Sequence, residues 1–336
     1  MTAVRGGETA VSQVDLQKLR SSCENWEMTQ REKWPRLAVV GAGAVGGYFG
    51  GLLARAGASV VMIGRESFVE TVKTNGIFLD TLNFKEFVRV EASTELSAAR
   101  GADIIFFCVK TTDNVVTARG LAPFLAPESI VLSLQNGVDN VEQIQAAAKI
   151  AASQAVVYVA ASVPKLGHVK HVGRGDLVIG PQSEKTKMIA AVLARAEIPC
   201  RISNNIEGEL WTKLIWNCAL NAISALGRAK YRRIAENADA RRLMETVIQE
   251  VLAVARAAHV VLPGLENVES AMAGAMQIAT QMAEAMSSTA QDLNRGKLTE
   301  IDSLNGFIAR RGSELGVPTP VNHALFTLVK LAEART

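Results

Sequence analysis

The sequence has only four cysteines in 336 residues, Cys23, Cys108, Cys200 and Cys218, and no two of them stand at CxxC spacing. That argues against a disulfide framework and leaves no zinc-site signature, so no metal is expected and a reducing cytoplasm is the default compartment. Long apolar runs are missing as well: nothing approaches the roughly 18 to 20 residues that a bilayer span requires, and the N-terminus has no apolar signal-peptide core. No membrane partner is expected. Nor is one charge in excess, because 36 Lys and Arg against 33 Asp and Glu leave a net charge of +3, too balanced for a nucleic-acid-binding surface. Internal repeats and low-complexity linkers are absent too.

What is present is a globular composition, 49% hydrophobic and 21% charged, in a chain long enough for two domains. Residues 1–35 stand apart as a polar extension interrupted by Gly6 and Gly7. They are read as a disordered tail, as a short amphipathic helix over 14–28, or as sequence preceding a true start at Met28, and no chemistry is assigned to them. Over 36–203, short apolar runs at 37–40, 59–63, 104–109 and 130–134 alternate with Ala-rich helical patterns. This is the signature of buried parallel strands in βαβ units, so a Rossmann-type doubly wound α/β sheet is expected, with its ligand beyond the carboxyl ends of the strands. The stretches 156–163 and 177–179 are expected to close that sheet. From 204 to 336 the periodicity is helical, over 206–226, 240–259, 268–293, 300–315 and 321–334, and an all-α second domain is expected.

The first strand runs directly into Gly41-Ala42-Gly43-Ala44-Val45-Gly46 and then a helical pattern. In that setting Gly41 permits the tight turn, Gly43 the approach of a pyrophosphate, and Gly46 close helix–strand packing, with the helix N-terminus facing the phosphates. The second strand ends in Arg65 rather than an acid, which suits a 2′-phosphate, so the cofactor expected is NADPH; the adjacent Glu66 is the alternative, an NAD ribose ligand. Lys110 and Asn136 follow the third and fourth strands and would face the nicotinamide end of the crevice. A solvated lysine and an Asn-Gly turn are the ordinary alternatives for these two.

Lys213, Asn217 and Asn221 recur every four residues and so share one face of an otherwise apolar helix. The stripe carries two amides, one amine and no acid, unlike the mixed Glu and Lys of most solvated faces. Ser287 and Ser288 are placed on a helix. Thr299 is read as the N-cap of the next one, which gives Glu300 and Asp302 a local role in its first turn. The stretch 272–286 fits either core or a dimer surface, and core is the reading taken; a homodimer stays open.

These motifs, in order, make the chain resemble the ketopantoate reductase family from Leu37 to Ala334. The match rests on GAGAVG from Gly41, QNG from Gln135, ELWTKLIWNCALNAISAL from Glu209, SSTAQDL from Ser287, KLTEIDSLNGFI from Lys297 and GVPTPVN from Gly316. The resemblance implies NADPH-dependent reduction of 2-dehydropantoate (ketopantoate) on the route to pantothenate and coenzyme A. It makes Lys213 the general acid and Glu300 its partner. Asn217, Asn221, Ser288 and Asn136 become substrate contacts, with Asn136, Lys110 and Glu300 beside the nicotinamide and Arg65 on the 2′-phosphate. One departure stands out: Thr289-Ala290 replaces a Met-Leu pair of some members, and Ala285 replaces a polar substrate contact. A related reductase of another 2-keto acid is therefore the alternative, and a non-catalytic NADPH sensor is a third reading that the intact polar set disfavours.

Overall fold

The computed structural model describes residues 33–265 and 267–333. The N-terminal extension, with its 14–28 stretch and Met28, lies outside the described residues except for 33–35. Met1–Pro35 separates as one unit and Arg36–Thr336 forms a second, compact one.

The second unit begins β1 (Leu37–Val40), α1 (Ala44–Arg55), β2 (Val60–Ile63), α2 (Glu66–Asn75), β3 (Ile77–Asp80), β4 (Lys85–Val88), β5 (Glu91–Ser93), β6 (Ile104–Phe107), α3 (Asn114–Leu121) and β7 (Ile130–Ser133). It continues with α4 (Asn140–Ala148), β8 (Ala152–Lys165), β9 (His168–Gly180), α5 (Glu184–Arg195) and β10 (Cys200–Ile202). Every residue of β1, β2, β6 and β7 is buried, as continuous apolar strands covered on both faces must be. They pair in parallel, with Val39 opposite both Met62 and Phe106, and Phe106 opposite Leu132. The strand order is β4-β3-β9-β8-β7-β6-β1-β2-β5, with β10 pairing β9.

The sheet departs from the all-parallel expectation in two places. β8 and β9 are a long antiparallel pair, and β3 and β4 form an antiparallel hairpin whose β3 lies parallel to β9. The closing stretches 156–163 and 177–179 are thus the middle of β8 and the end of β9. β4 and β5 had little apolar signal to betray them, since they are short and mostly exposed or half-buried.

After Ile202 the chain is helical: α6 (Ile206–Leu226), α7 (Tyr231–Glu236), α8 (Ala238–Ala257), α9 (Val268–Gln281), α10 (Ser288–Asn294), α11 (Asn305–Leu315) and α12 (Pro320–Glu333). α6 starts cleanly because the Asn205 side chain accepts from the Gly208 amide and Glu207 and Glu209 sit in its first turn, where the helix dipole favours acids. Its Leu214, Ile215 and Cys218 pack in one core with Val247 and Val251 of α8, Ala271 and Ala275 of α9, Ile308 of α11 and Val329 of α12. Val156 and Val178 of the sheet join that same core. Met272 and Met276 pack against it, on the core side of the two readings for 272–286.

Two helical expectations are corrected. The single helix over 268–293 is α9 and α10, separated by 282–287, and Ser287 is the N-cap of α10 with Ser288 its first residue. The helix expected from Glu300 starts only at Asn305; Glu300 precedes a 3-10 turn, Ile301–Ser303. Thr299 does not cap an α-helix, but its hydroxyl accepts from the Ile301 amide at 3.2 Å within that turn.

Candidate active site

The phosphate-type loop is fixed by what a Cβ would meet at each glycine. Gly41 has φ +103°, and a Cβ there would stand 2.6 Å from the Val109 amide nitrogen. At Gly46 it would lie 2.2 Å from the Gly41 carbonyl oxygen, so α1 can press against β1 only without a side chain. Gly43 is the opposite case, with no atom within 4 Å of its absent Cβ. The loop is closed behind and open in front, the shape that lets a diphosphate approach the backbone. No side chain caps α1 and no acid sits in its first turn, which leaves its N-terminal amides and dipole for an anion. Arg65 is exposed at the end of β2, in the N-cap position of α2.

Asn136, just beyond β7, lies where the sheet end meets the helices. Its Oδ1 accepts from Lys213 Nζ at 2.8 Å and its Nδ2 donates to Glu300 Oε2 at 3.1 Å. This amide orientation is forced, because an ammonium can only donate and a carboxylate can only accept. Thr111 completes the row by donating its hydroxyl to Glu300 Oε1 at 3.1 Å. Lys213 also donates to the Val157 carbonyl at 2.5 Å, so one of its three N–H donors stays uncommitted among the described residues. Burial pushes the ammonium down to about 8; the Glu300 charge works against that and Arg174 reinforces it. Glu300 is therefore linked to Lys213 through Asn136.

The rest of the stripe is unevenly placed. Asn217 is half-buried and its side chain makes no hydrogen bond among the described residues, whereas Asn221 is buried, with Tyr231 Oη donating to its Oδ1 at 3.5 Å. Ser288 is exposed. The serine that reaches α6 is Ser287, which donates to the Asn221 carbonyl at 2.9 Å and takes its own amide to Ser224 Oγ at 3.1 Å. Lys110 does not project freely into the crevice: it donates to Asp292 at 2.7 Å and to the Leu298 carbonyl at 2.9 Å, tying the end of β6 to α10 and the loop after it. Thr289 and Ala290, both in α10, are buried. Ala285 is half-buried and its carbonyl accepts the Tyr231 amide at 3.0 Å.

Sequence reasoning missed the residues that hold Asn136. Asn140 donates to the Asn136 carbonyl at 2.7 Å and accepts from Asn114 at 2.9 Å, while Gln135 donates to Asn114 at 2.6 Å. Gly137, at φ +97°, lets the 301–303 turn approach, since a Cβ there would stand 3.1 Å from that of Ser303. Arg174 and Tyr158 were also missed: the guanidinium lies 3.8 Å over the Tyr158 ring, and Lys213 Nζ is 5.8 Å from the same ring. Such buried amides carry no signal until the strand ends are brought together. No helix among the described residues is long and apolar enough to cross a membrane.

Comparison with known proteins agrees in both halves. Residues 37–184 match the family model described as Ketopantoate reductase PanE/ApbA, and residues 205–333 match that of its C-terminal part. A 2-dehydropantoate 2-reductase of Archaeoglobus fulgidus is 31% identical over 303 residues, covering 89% of this chain and 98% of the relative. One from Pyrococcus abyssi is 32% identical over 305 residues, with the same coverage of 89% and 98%. Among solved structures, a PanE/ApbA family ketopantoate reductase from Ralstonia eutropha superposes with a TM-score of 0.84 at 46% identity, over 89% of this chain and 99% of that one. A D-mandelate dehydrogenase solved with NADH and anilino(oxo)acetate shares the fold, with a TM-score of 0.83 at 23% identity over 89% and 99% of the two chains.

Proposed function

Because this chain belongs to the ketopantoate reductase family, we propose that it reduces 2-dehydropantoate to pantoate with NADPH in the cytoplasm, on the route to pantothenate and coenzyme A. The observation that carries this reading is the row Lys213–Asn136–Glu300 at the carboxyl ends of the strands, with one ammonium hydrogen left to spend. The open face at Gly43 and the uncapped start of α1 fit a dinucleotide. Gly41, Ala42, Gly43, Ala44, Val45 and Gly46 would hold its diphosphate and Arg65 its 2′-phosphate, with Lys110, Asn136 and Glu300 near the nicotinamide end. NADPH, when bound, supplies the hydride that reduces the ketone carbon.

The chain's part is to meet the negative charge that then develops on oxygen. Lys213 points its free N–H at that oxygen, stabilises the charge and gives up a proton, so the ketone becomes an alcohol. Asn136 fixes the direction of the ammonium by accepting one of its hydrogens, and Glu300 fixes Asn136. Asn217, whose carboxamide is uncommitted, binds the substrate's polar groups, with Asn221 and Ser288 further along.

The test is NADPH oxidation by the purified protein with ketopantoate and a panel of other 2-keto acids, repeated with NADH. Selective turnover of ketopantoate supports the proposal, and turnover of a different keto acid alone overturns its substrate. Arg65→Ala should raise the KM for NADPH by about ten- to a hundredfold, the scale of a lost charged hydrogen bond, and leave that for NADH unchanged. The loop glycines should separate by thermal unfolding with and without NADPH. Gly46→Ala, forced against a backbone carbonyl, lowers the melting temperature of the free protein by several degrees. Gly43→Val leaves that temperature unchanged and removes the upward shift given by NADPH.

A further inference from the structure

We propose that Glu333, in the last turn of α12, is a positioning residue that clamps the 299–303 turn and so holds Glu300 in the site. The inference rests on the reading of Glu300 as part of the site. Glu333 is buried, and its Oε1 accepts from the Thr299 amide at 2.8 Å and from the Thr299 hydroxyl at 2.6 Å. Lys330, one turn earlier, pairs with the other oxygen of Glu333 at 2.7 Å and donates to Asp302 at 3.0 Å. The residue before Glu300 and the second residue after it are thus both tied to the end of α12. The Glu300 carboxylate itself points the other way, to Thr111 and Asn136.

The helix dipole does not account for an acid at this position, and Lys330, its partner one turn earlier, is itself tied to the 299–303 turn. A negative charge in the last turn of a helix opposes the macrodipole, and burial adds a desolvation cost. Burial works to raise the Glu333 carboxyl, but hydrogen bonds from Lys330 and Thr299 outweigh it and hold the group below its ordinary range. The other end of α12 is fixed in the same manner: the buried Glu250 carboxylate accepts the Val321 and Asn322 amides, each at 2.9 Å. α12 is a strut of 14 residues, about 21 Å long at 1.5 Å per residue, anchored on α8 at one end and carrying the Glu300 turn at the other.

The experiment combines amide hydrogen exchange over 299–304 with turnover in Glu333→Ala, Glu300→Ala and the double variant. Exchange in that segment should rise at least about tenfold in Glu333→Ala, which removes two hydrogen bonds to a carboxylate, and kcat should fall about tenfold. In the Glu300→Ala background the second substitution should cost nothing further, because the clamp acts only through Glu300. Glu333→Gln, which keeps an acceptor for Thr299, should recover most of kcat. Should Glu333→Ala not fold, Glu333→Asp makes the same test, because it keeps the charge on a side chain one methylene too short to reach Thr299. Unchanged exchange, or losses in kcat that multiply, would overturn the clamp. A wild-type protein that turns over no 2-keto acid strikes the functional reading instead, and the exchange arm still decides the clamp.

Discussion

Replacing Lys213 with alanine should lower kcat for ketopantoate by about two or more orders of magnitude, the scale of losing a general acid, while NADPH affinity stays near that of the wild type. In the proposed site Lys213 meets the substrate oxygen whereas the Gly41–Gly46 loop would hold the diphosphate, so binding and chemistry should separate. The ammonium is suited to proton donation because burial brings it down to about 8 from 10.5: it is charged near neutrality yet a stronger acid than a surface lysine. Lys213→Arg sharpens the experiment. Arginine keeps the positive charge but does not release its proton in proteins, so its kcat should also stay far below wild type. Recovery of activity in the arginine variant would make the residue an electrostatic group only. Near-normal turnover in the alanine variant would remove it from the mechanism altogether.

The second large effect is expected at Asn136. Asn136→Ala removes the acceptor that turns the Lys213 ammonium and the donor that satisfies Glu300, leaving two charged groups short of a partner at once. A fall in kcat of about ten- to a hundredfold follows from the loss of the one hydrogen bond made to the Lys213 ammonium. The sign of the pH effect is also fixed. Asn136 stabilises the protonated lysine, so its loss disfavours the charged form and moves the basic limb of the rate profile about one pH unit lower. A change in KM with no change in kcat would instead make Asn136 a simple substrate contact.

Much of this arrangement was legible in the chain before the structure, and the exceptions have physical reasons. β1, β2, β6 and β7 were readable because strands buried on both faces must be continuously apolar. The tight turn at Gly41 and the close helix–strand packing at Gly46 were readable from their order after β1, and the surroundings of their absent Cβ atoms agree. Lys213, Asn217 and Asn221 were visible as a polar stripe on a helix that is otherwise core. The link through Asn136 was not, because it joins residues 77 and 164 positions apart in sequence, and no periodicity encodes that. Lys110 was assigned to the crevice from its place after β6, whereas Asp292, 182 residues away, takes its charge. That Ser287 caps α10 rather than lying within a helix was hidden because the apolar pattern ran on smoothly across 282–287, over the break between α9 and α10. The hairpin of β3 and β4 escaped because Lys85–Val88 alternates too weakly to read as a strand.

The central claim is that Lys213 gives the proton, and the pH dependence of kcat/KM for NADPH-driven ketopantoate reduction, which reports the free enzyme's groups, tests it most directly. A group that must be protonated to act, with its equilibrium lowered to about 8, gives a rate that is level below that point and falls above it. The expected profile in wild type is therefore a plateau through neutrality and a basic limb near 8, about tenfold per pH unit, that is absent from the residual activity of Lys213→Ala. A wild-type rate that stays level well beyond that limb, or an identical limb in the alanine variant, would contradict the account.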